Sequence, residues 1–257
     1  MTETVSGQEL GEGMSLMEHL VELRSRIIRC AIAVAVGAAV GWLVYPAVFD
    51  LLVEPLKDLA ENPNVSDKLI SLKPLEVFML RVRMSAYIGL VLAMPFLLWQ
   101  LWQFIAPGLY QNERRYASAF VVSATVLFLL GAAIAYFTLP QALEFLQSLG
   151  GDDILYQYSP QEYLMLIVYM MVAFGVGFQF PIVVVFLQLV GVVTPKQLSQ
   201  FRRFAIVIIF VVAAVITPSA DPISLLALSL PMCVFYEVAI IIGRIVKRDR
   251  VGAGAAG

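Results

Sequence analysis

A single histidine, His19, stands in 257 residues, and the two cysteines, Cys30 and Cys233, both lie inside apolar stretches. One histidine cannot supply an imidazole cluster, and no HExxH or HxxEH helix is present. A GxSxG elbow and a GxxxxGKS/T phosphate loop are also missing. Nucleophilic hydrolysis and a nucleotide-driven motor are thus left without support. Cysteines so placed offer no disulfide framework. Charge is scarce as well: 14% of residues are charged and 60% hydrophobic, against ~25% and ~45–50% in soluble domains. The 17 Lys and Arg are scattered rather than gathered into a nucleic-acid-binding domain. No metal, cofactor or catalytic residue is expected, and the chain reads as a non-enzyme.

What the sequence does have is long uncharged stretches between Ile27 and Arg244, with acids and bases confined to the gaps. A charge at the bilayer centre costs ~2.5–3.5 kcal/mol on insertion scales, so this distribution suits a lipid solvent. The expectation is an all-α membrane protein, a single polytopic domain over residues 1–257. A spanning helix needs about 20 apolar residues. Six spans are predicted, at about 27–48, 77–105, 116–139, 163–190, 203–217 and 223–243, with flexible tails at 1–15 and 250–257. The last two spans look short for an unperturbed bilayer, which local thinning or partner packing can accommodate. Pro46, Pro95, Pro181 and Pro231 fall in apolar spans, so a bent, concave bundle is expected. No internal repeat is visible.

Orientation follows from lysine and arginine in short loops. One set of flanks holds Arg24, Arg26, Arg29, Arg114, Arg115, Lys196, Arg202, Arg203, Arg244, Lys247, Arg248 and Arg250; the other holds Lys57, Lys68, Lys73, Arg81 and Arg83. The richer side contains both termini, which are therefore expected in the cytoplasm. The acidic first 26 residues lack the basic start of a secretory signal and read as a retained cytoplasmic segment. The outer loops, at about 50–74 and 140–161, are long enough for short interfacial helices such as Gln141–Leu149. The turn from Thr217 to Pro222 is tight.

Several polar residues admit two readings. Before the first span, Leu16, Leu20, Leu23 and Ile27 share a helix face, and Glu22 stands four residues ahead of Arg26, as in a stabilising helix pair. This segment is a solvated lead-in or part of a binding surface. In the loop after the second span, Pro107-Gly108 breaks the helix and Asn112 suits an N-cap. Glu113 then either serves the first-turn dipole or presents a carboxylate to a guanidinium. Gln179, in the middle of the fourth span, bonds a neighbouring helix or meets a guest helix. Glu237 faces protein or lies close to the cytoplasmic surface. Thr217 and Asp221 sit at the tight outer turn, where Asp221 suits a helix cap.

Taken in order, these segments resemble the TatC family, the C subunit of the twin-arginine translocase. The most specific pieces are His19-Leu20-Val21-Glu22-Leu23-Arg24-Ser25-Arg26, Glu54-Pro55-Leu56, Phe104-Ile105-Ala106-Pro107-Gly108-Leu109-Tyr110 and Glu113-Arg114-Arg115. Ala173 to Phe178 ahead of Pro181, and Thr217-Pro218 with Asp221, add to them. The resemblance implies a receptor for twin-arginine signal peptides in the inner (cytoplasmic) membrane. It also implies export of folded proteins driven by the proton-motive force, with single-span partners of the TatA and TatB type and self-association in the complex. Carried onto this sequence, it makes Glu22 and Glu113 the carboxylates for the arginine pair, with Phe104 and Arg24 in the same patch. Pro55 matches an outer-loop position, and Gln179, Thr217 and Asp221 fall on the edge for partner helices. Two departures weaken that edge: many relatives have Glu at the position of Gln179, and often Gln where Leu225 stands. The rival reading, a small-solute transporter, needs ionisable groups around a midplane cavity, and Gln179 with Glu237 is a thin set.

Overall fold

The computed structural model describes residues 16–59, 69–105, 117–150, 154, 156–219 and 221–254. In these ranges the chain is all-helical: α1 (Leu16–Leu59), α2 (Glu76–Ile105), α3 (Ala117–Ser148), α4 (Pro160–Gly177), α5 (Phe180–Leu189), α6 (Pro195–Gln200), α7 (Arg202–Ile216) and α8 (Pro222–Gly254). Five segments are long and apolar enough to cross a membrane: Leu20–Lys57, Glu76–Phe104, Ser118–Ser148, Pro160–Leu189 and Pro222–Ile245. The 15 residues of α7 reach about 22 Å, short of the ~30 Å hydrocarbon core. The tail 1–15 and the loop 106–116 lie outside the described residues.

Helix bounds depart from the sequence reading mainly at prolines. The first span is 44 residues long and contains Pro46 and Pro55, so residues 50–59, expected as outer loop, are helical. A proline leaves the carbonyl four residues earlier without its donor. Both orphans in α1 find one on a neighbouring helix. Arg81 of α2 donates through Nη2 to the Trp42 carbonyl, four residues before Pro46, at 3.1 Å. The Tyr136 hydroxyl of α3 donates to the Leu51 carbonyl, four residues before Pro55, at 2.9 Å. Arg81 is held further over the Trp42 and Tyr45 rings, 4.4 and 5.2 Å from their centroids, a cation–π arrangement. Pro55 is therefore buried inside a helix rather than placed in a loop.

Pro140 likewise fails to end α3, so the separate interfacial helix expected at Gln141–Leu149 is a continuation of the third span. The fourth span is broken in two. Phe178 and Gln179 join α4 to α5, and Pro181 stands in the first turn of α5, where a missing N–H costs nothing. The last span is not short: α8 runs through Pro231 to Gly254, with an apolar segment of 24 residues. Residues 250–254, expected as tail, belong to this helix. Gly191, at φ +82°, turns the chain after α5. A capping box between Thr194 and Gln197 then starts α6.

Small residues set the closest crossings, as expected where lipid leaves packing to hold helices together. A Cβ on Gly89 of α2 would lie 2.3 Å from the Ala38 nitrogen of α1, and one on Gly37 would lie 2.7 Å from the Gly89 carbonyl oxygen. On the other side, a Cβ on Gly131 of α3 would meet the Phe174 carbonyl oxygen of α4 at 2.6 Å. The fully buried core runs through α3, α4 and α8, with Phe128, Ile167, Phe174 and Leu228, and extends to Leu56 of α1, Leu80 and Met84 of α2 and Ile209 of α7. Outward, Ile28, Ile32, Val36, Val40 and Leu43 of α1 form an exposed apolar stripe at helical spacing, a face suited to acyl chains.

Candidate functional site

Near the start of α1 the helical spacing puts Glu22 and Arg26 on one face, and α2 returns antiparallel beside them. One carboxylate oxygen of Glu22 accepts from both Nε and Nη2 of Arg26, the former at 3.0 Å. Arg26 also reaches α2. Its Nη1 donates to the side-chain oxygens of Gln100 and Gln103 at 3.1 and 2.9 Å, and Nη2 donates to the Gln103 carbonyl at 3.3 Å. Gln100 is buried, whereas the Glu22 side chain keeps 25% of its surface exposed. A groove of about 550 Å³ opens here, lined by Met17, Val21, Glu22, Ser25, Arg26 and Arg29. The arrangement is a carboxylate that already binds a guanidinium and still faces solvent.

Of the residues assigned to this patch from sequence, Phe104 is half-buried at the end of α2, next to Gln103. Arg24 is exposed. It lies two residues from Glu22, about 200° around the helix, so α1 does not bring the two together. Glu113 lies outside the described residues. Gln100 and Gln103, two amides three residues apart in an apolar run, mark a polar face on α2, but their partner Arg26 is set by how α2 packs on α1.

The intramembrane polar residues make internal contacts. Gln179 donates through Nε2 to the Ala124 carbonyl of α3 at 2.9 Å and to the Gly175 carbonyl at 3.4 Å. The second carbonyl is freed because the Gln179 nitrogen turns to Val176 instead. The amide also borders an apolar cavity of about 140 Å³ walled by Trp102, Phe120 and Phe186. Thr217 is buried, its hydroxyl bonded to the Ala213 carbonyl. Asp221 is buried too, accepting from the Ser224 N–H at 2.7 Å and from the Ser219 hydroxyl. Capping therefore accounts for Asp221. Glu237 pairs with Arg202 at 2.7 Å at the end of the bundle near α6. Among the described residues no cluster of His, Cys, Asp and Glu could hold a metal.

Five long apolar helices, antiparallel packing through small residues and a charged cluster at one end define a multi-pass α-helical membrane protein. Residues 18–231 match the family described as Sec-independent protein translocase protein (TatC). The chain is 39% identical over 240 residues to the TatC of Aquifex aeolicus, covering 92% of this chain and 98% of that one. It is also 39% identical over 239 residues to that of Koribacter versatilis, covering 91% and 86%. With the longer TatC of Frankia casuarinae it shares 39% identity over 238 residues, covering 90% of this chain and 65% of that protein. A solved structure titled as the twin-arginine translocase receptor TatC superposes with a TM-score of 0.71 at 37% identity, covering 90% of this chain and all of the other. The chain belongs to the TatC family. It is a transport protein of the cytoplasmic membrane, not an enzyme.

Proposed function

We propose that this chain is the signal-peptide receptor of the twin-arginine translocase and that Glu22, with Glu113, receives the consecutive arginines of the signal. The observation that carries this reading is the Glu22 carboxylate, which holds a guanidinium at the rim of the bundle while partly open to solvent. Arginine stays charged and offers a planar fork that lysine lacks, and carboxylate–guanidinium pairs are among the strongest polar contacts. Phe104 would border the arginine site, and the apolar part of the signal would lie along the helices beyond it.

The same reading gives α7 the role of a sixth, short span, which puts both chain ends in the cytoplasm, in keeping with the twelve basic residues on that side. Single-span TatA- and TatB-type partners would then dock along α7 and α8, near Thr217 and Asp221. Glu113→Ala is expected to abolish photocross-linking from the arginine pair of a signal peptide to the detergent-purified chain, with membrane insertion intact. Undiminished cross-linking would remove Glu113 from the site.

A further inference from the structure

The Glu22 site is not vacant. The ligand proposed for it is a guanidinium, and a guanidinium of the chain itself already sits there. A guanidinium has five N–H donors in a fixed fork. Arg26 directs Nε and Nη2 at one oxygen of Glu22, and sends Nη1 and Nη2 to three acceptors on α2, the side-chain oxygens of Gln100 and Gln103 and the Gln103 carbonyl. An arriving arginine therefore meets a carboxylate that is already ion-paired and has one of its two oxygens taken.

We infer that Arg26 is a built-in competitor, which a signal arginine must displace from Glu22 before it can form its own forked pair. This inference rests on the reading of Glu22 as an arginine-receiving carboxylate and concerns the regulation of that same site. Two features make the exchange feasible. Removing a charge from a buried pair is costly when the remaining partner is left alone. Arg26, on releasing Glu22, retains its three oxygen acceptors on α2. Glu22 acquires the incoming guanidinium. Glu22 stays ion-paired, and Arg26 gives up its counter-charge but keeps hydrogen bonds to neutral oxygens at a part-exposed site. The side chains of Arg26 and Glu22 are also 15% and 25% exposed, so a ligand can reach the pair without opening the helix packing.

The competition has a defined thermodynamic signature. A ligand that binds only the Arg26-released form has its apparent affinity reduced by the fraction of molecules in that form. The reduction is the same for every ligand. Arg26 therefore lowers the affinity for arginine-pair and lysine-pair peptides by one common factor and leaves their ratio untouched. Selectivity comes from the fork of the ligand; Arg26 sets the threshold.

The test uses the full-length chain in detergent and a fluorescently labelled synthetic peptide with an Arg-Arg pair ahead of an apolar stretch, alongside its Lys-Lys counterpart. Arg26→Gln is expected to tighten both peptides by the same factor, about fivefold, and Arg26→Lys by less in the same direction. Combined with Glu22→Gln, the Arg26→Gln change should have no effect, because there is no longer a carboxylate to contest. The Lys variant keeps a positive charge at this position and serves should the Gln variant not fold. Unchanged or weaker peptide binding on loss of the Arg26 guanidinium, with Glu22→Gln still impairing binding, overturns the competitor and leaves the receptor reading standing. A gain that persists in the Glu22→Gln background also overturns it. If Glu22→Gln alone leaves arginine-pair binding intact, the receptor reading itself fails, and the competitor with it.

Discussion

Two glutamates at opposite ends of α2 show what fixes a carboxylate and what leaves it available. Glu76, at the first turn, is 6% exposed. It accepts from the Leu72 N–H at 3.2 Å, the Ser71 hydroxyl at 3.1 Å and the Gln161 N–H at 3.4 Å. Two of these donors are main-chain groups held by the fold, and the third is a short side chain. Nearby, the Ile70 N–H meets the Tyr158 carbonyl at 3.1 Å, which joins the segment before α2 to the one before α4. Glu22, beside the other end of α2, is held by one long side chain whose remaining donors face other acceptors. Main-chain donors cannot leave without unfolding. A guanidinium on a flexible stem can. The first carboxylate is a fastening; the second is held by a contact that a side-chain rotation can release.

That contrast can be broken by substitution, and the largest effect should be structural. Glu76→Ala leaves the Leu72 and Gln161 N–H groups unpaired, while the Ser71 hydroxyl keeps the Lys73 carbonyl; an unpaired donor is costly wherever water cannot replace the partner. The unfolding midpoint in detergent should drop by several degrees, with affinity for a twin-arginine peptide unchanged in the fraction that remains folded. A parallel loss of affinity would show that the two ends are not independent. Arg81→Leu removes both the donor to the Trp42 carbonyl and the cation–π contacts, and should cost about 1–2 kcal/mol. Tyr136→Phe removes the donor to Leu51 and should cost roughly 0.5–1 kcal/mol. Its cost should shrink toward zero in a Pro55→Ala background, where the helix supplies the missing bond itself. An undiminished cost there would mean that Tyr136 stabilises by some other contact. The smallest stability effect is expected from Glu22→Gln, about 0.5 kcal/mol for a partly exposed helix pair, while its effect on peptide affinity should be clear.

The sequence made the membrane class and the positions of the long helices legible because charge exclusion from lipid is a strong, local signal. Local chemistry misleads most at proline. Pro55 and Pro140 have the chemistry of loop residues, but the donor replacing the one lost to Pro55 comes from Tyr136, distant in sequence. No window along α1 contains that information. Gln179 turning to Ala124 fits the expected bond to a neighbouring helix, and Asp221 capping Ser224 fits the expected cap. The Glu22–Arg26 pair was visible from a spacing of four. Its extension to Gln100 and Gln103 was not, because it depends on where α2 ends against α1.

The crossing of α1 and α2 carries one more implication. Backbone lies against backbone there, and even a methyl on Gly89 would be 2.3 Å from the Ala38 nitrogen. A peptide entering sideways from the bilayer would have to wedge apart a seam with no space for a single side chain. At that crossing the α1–α2 seam is shut by construction.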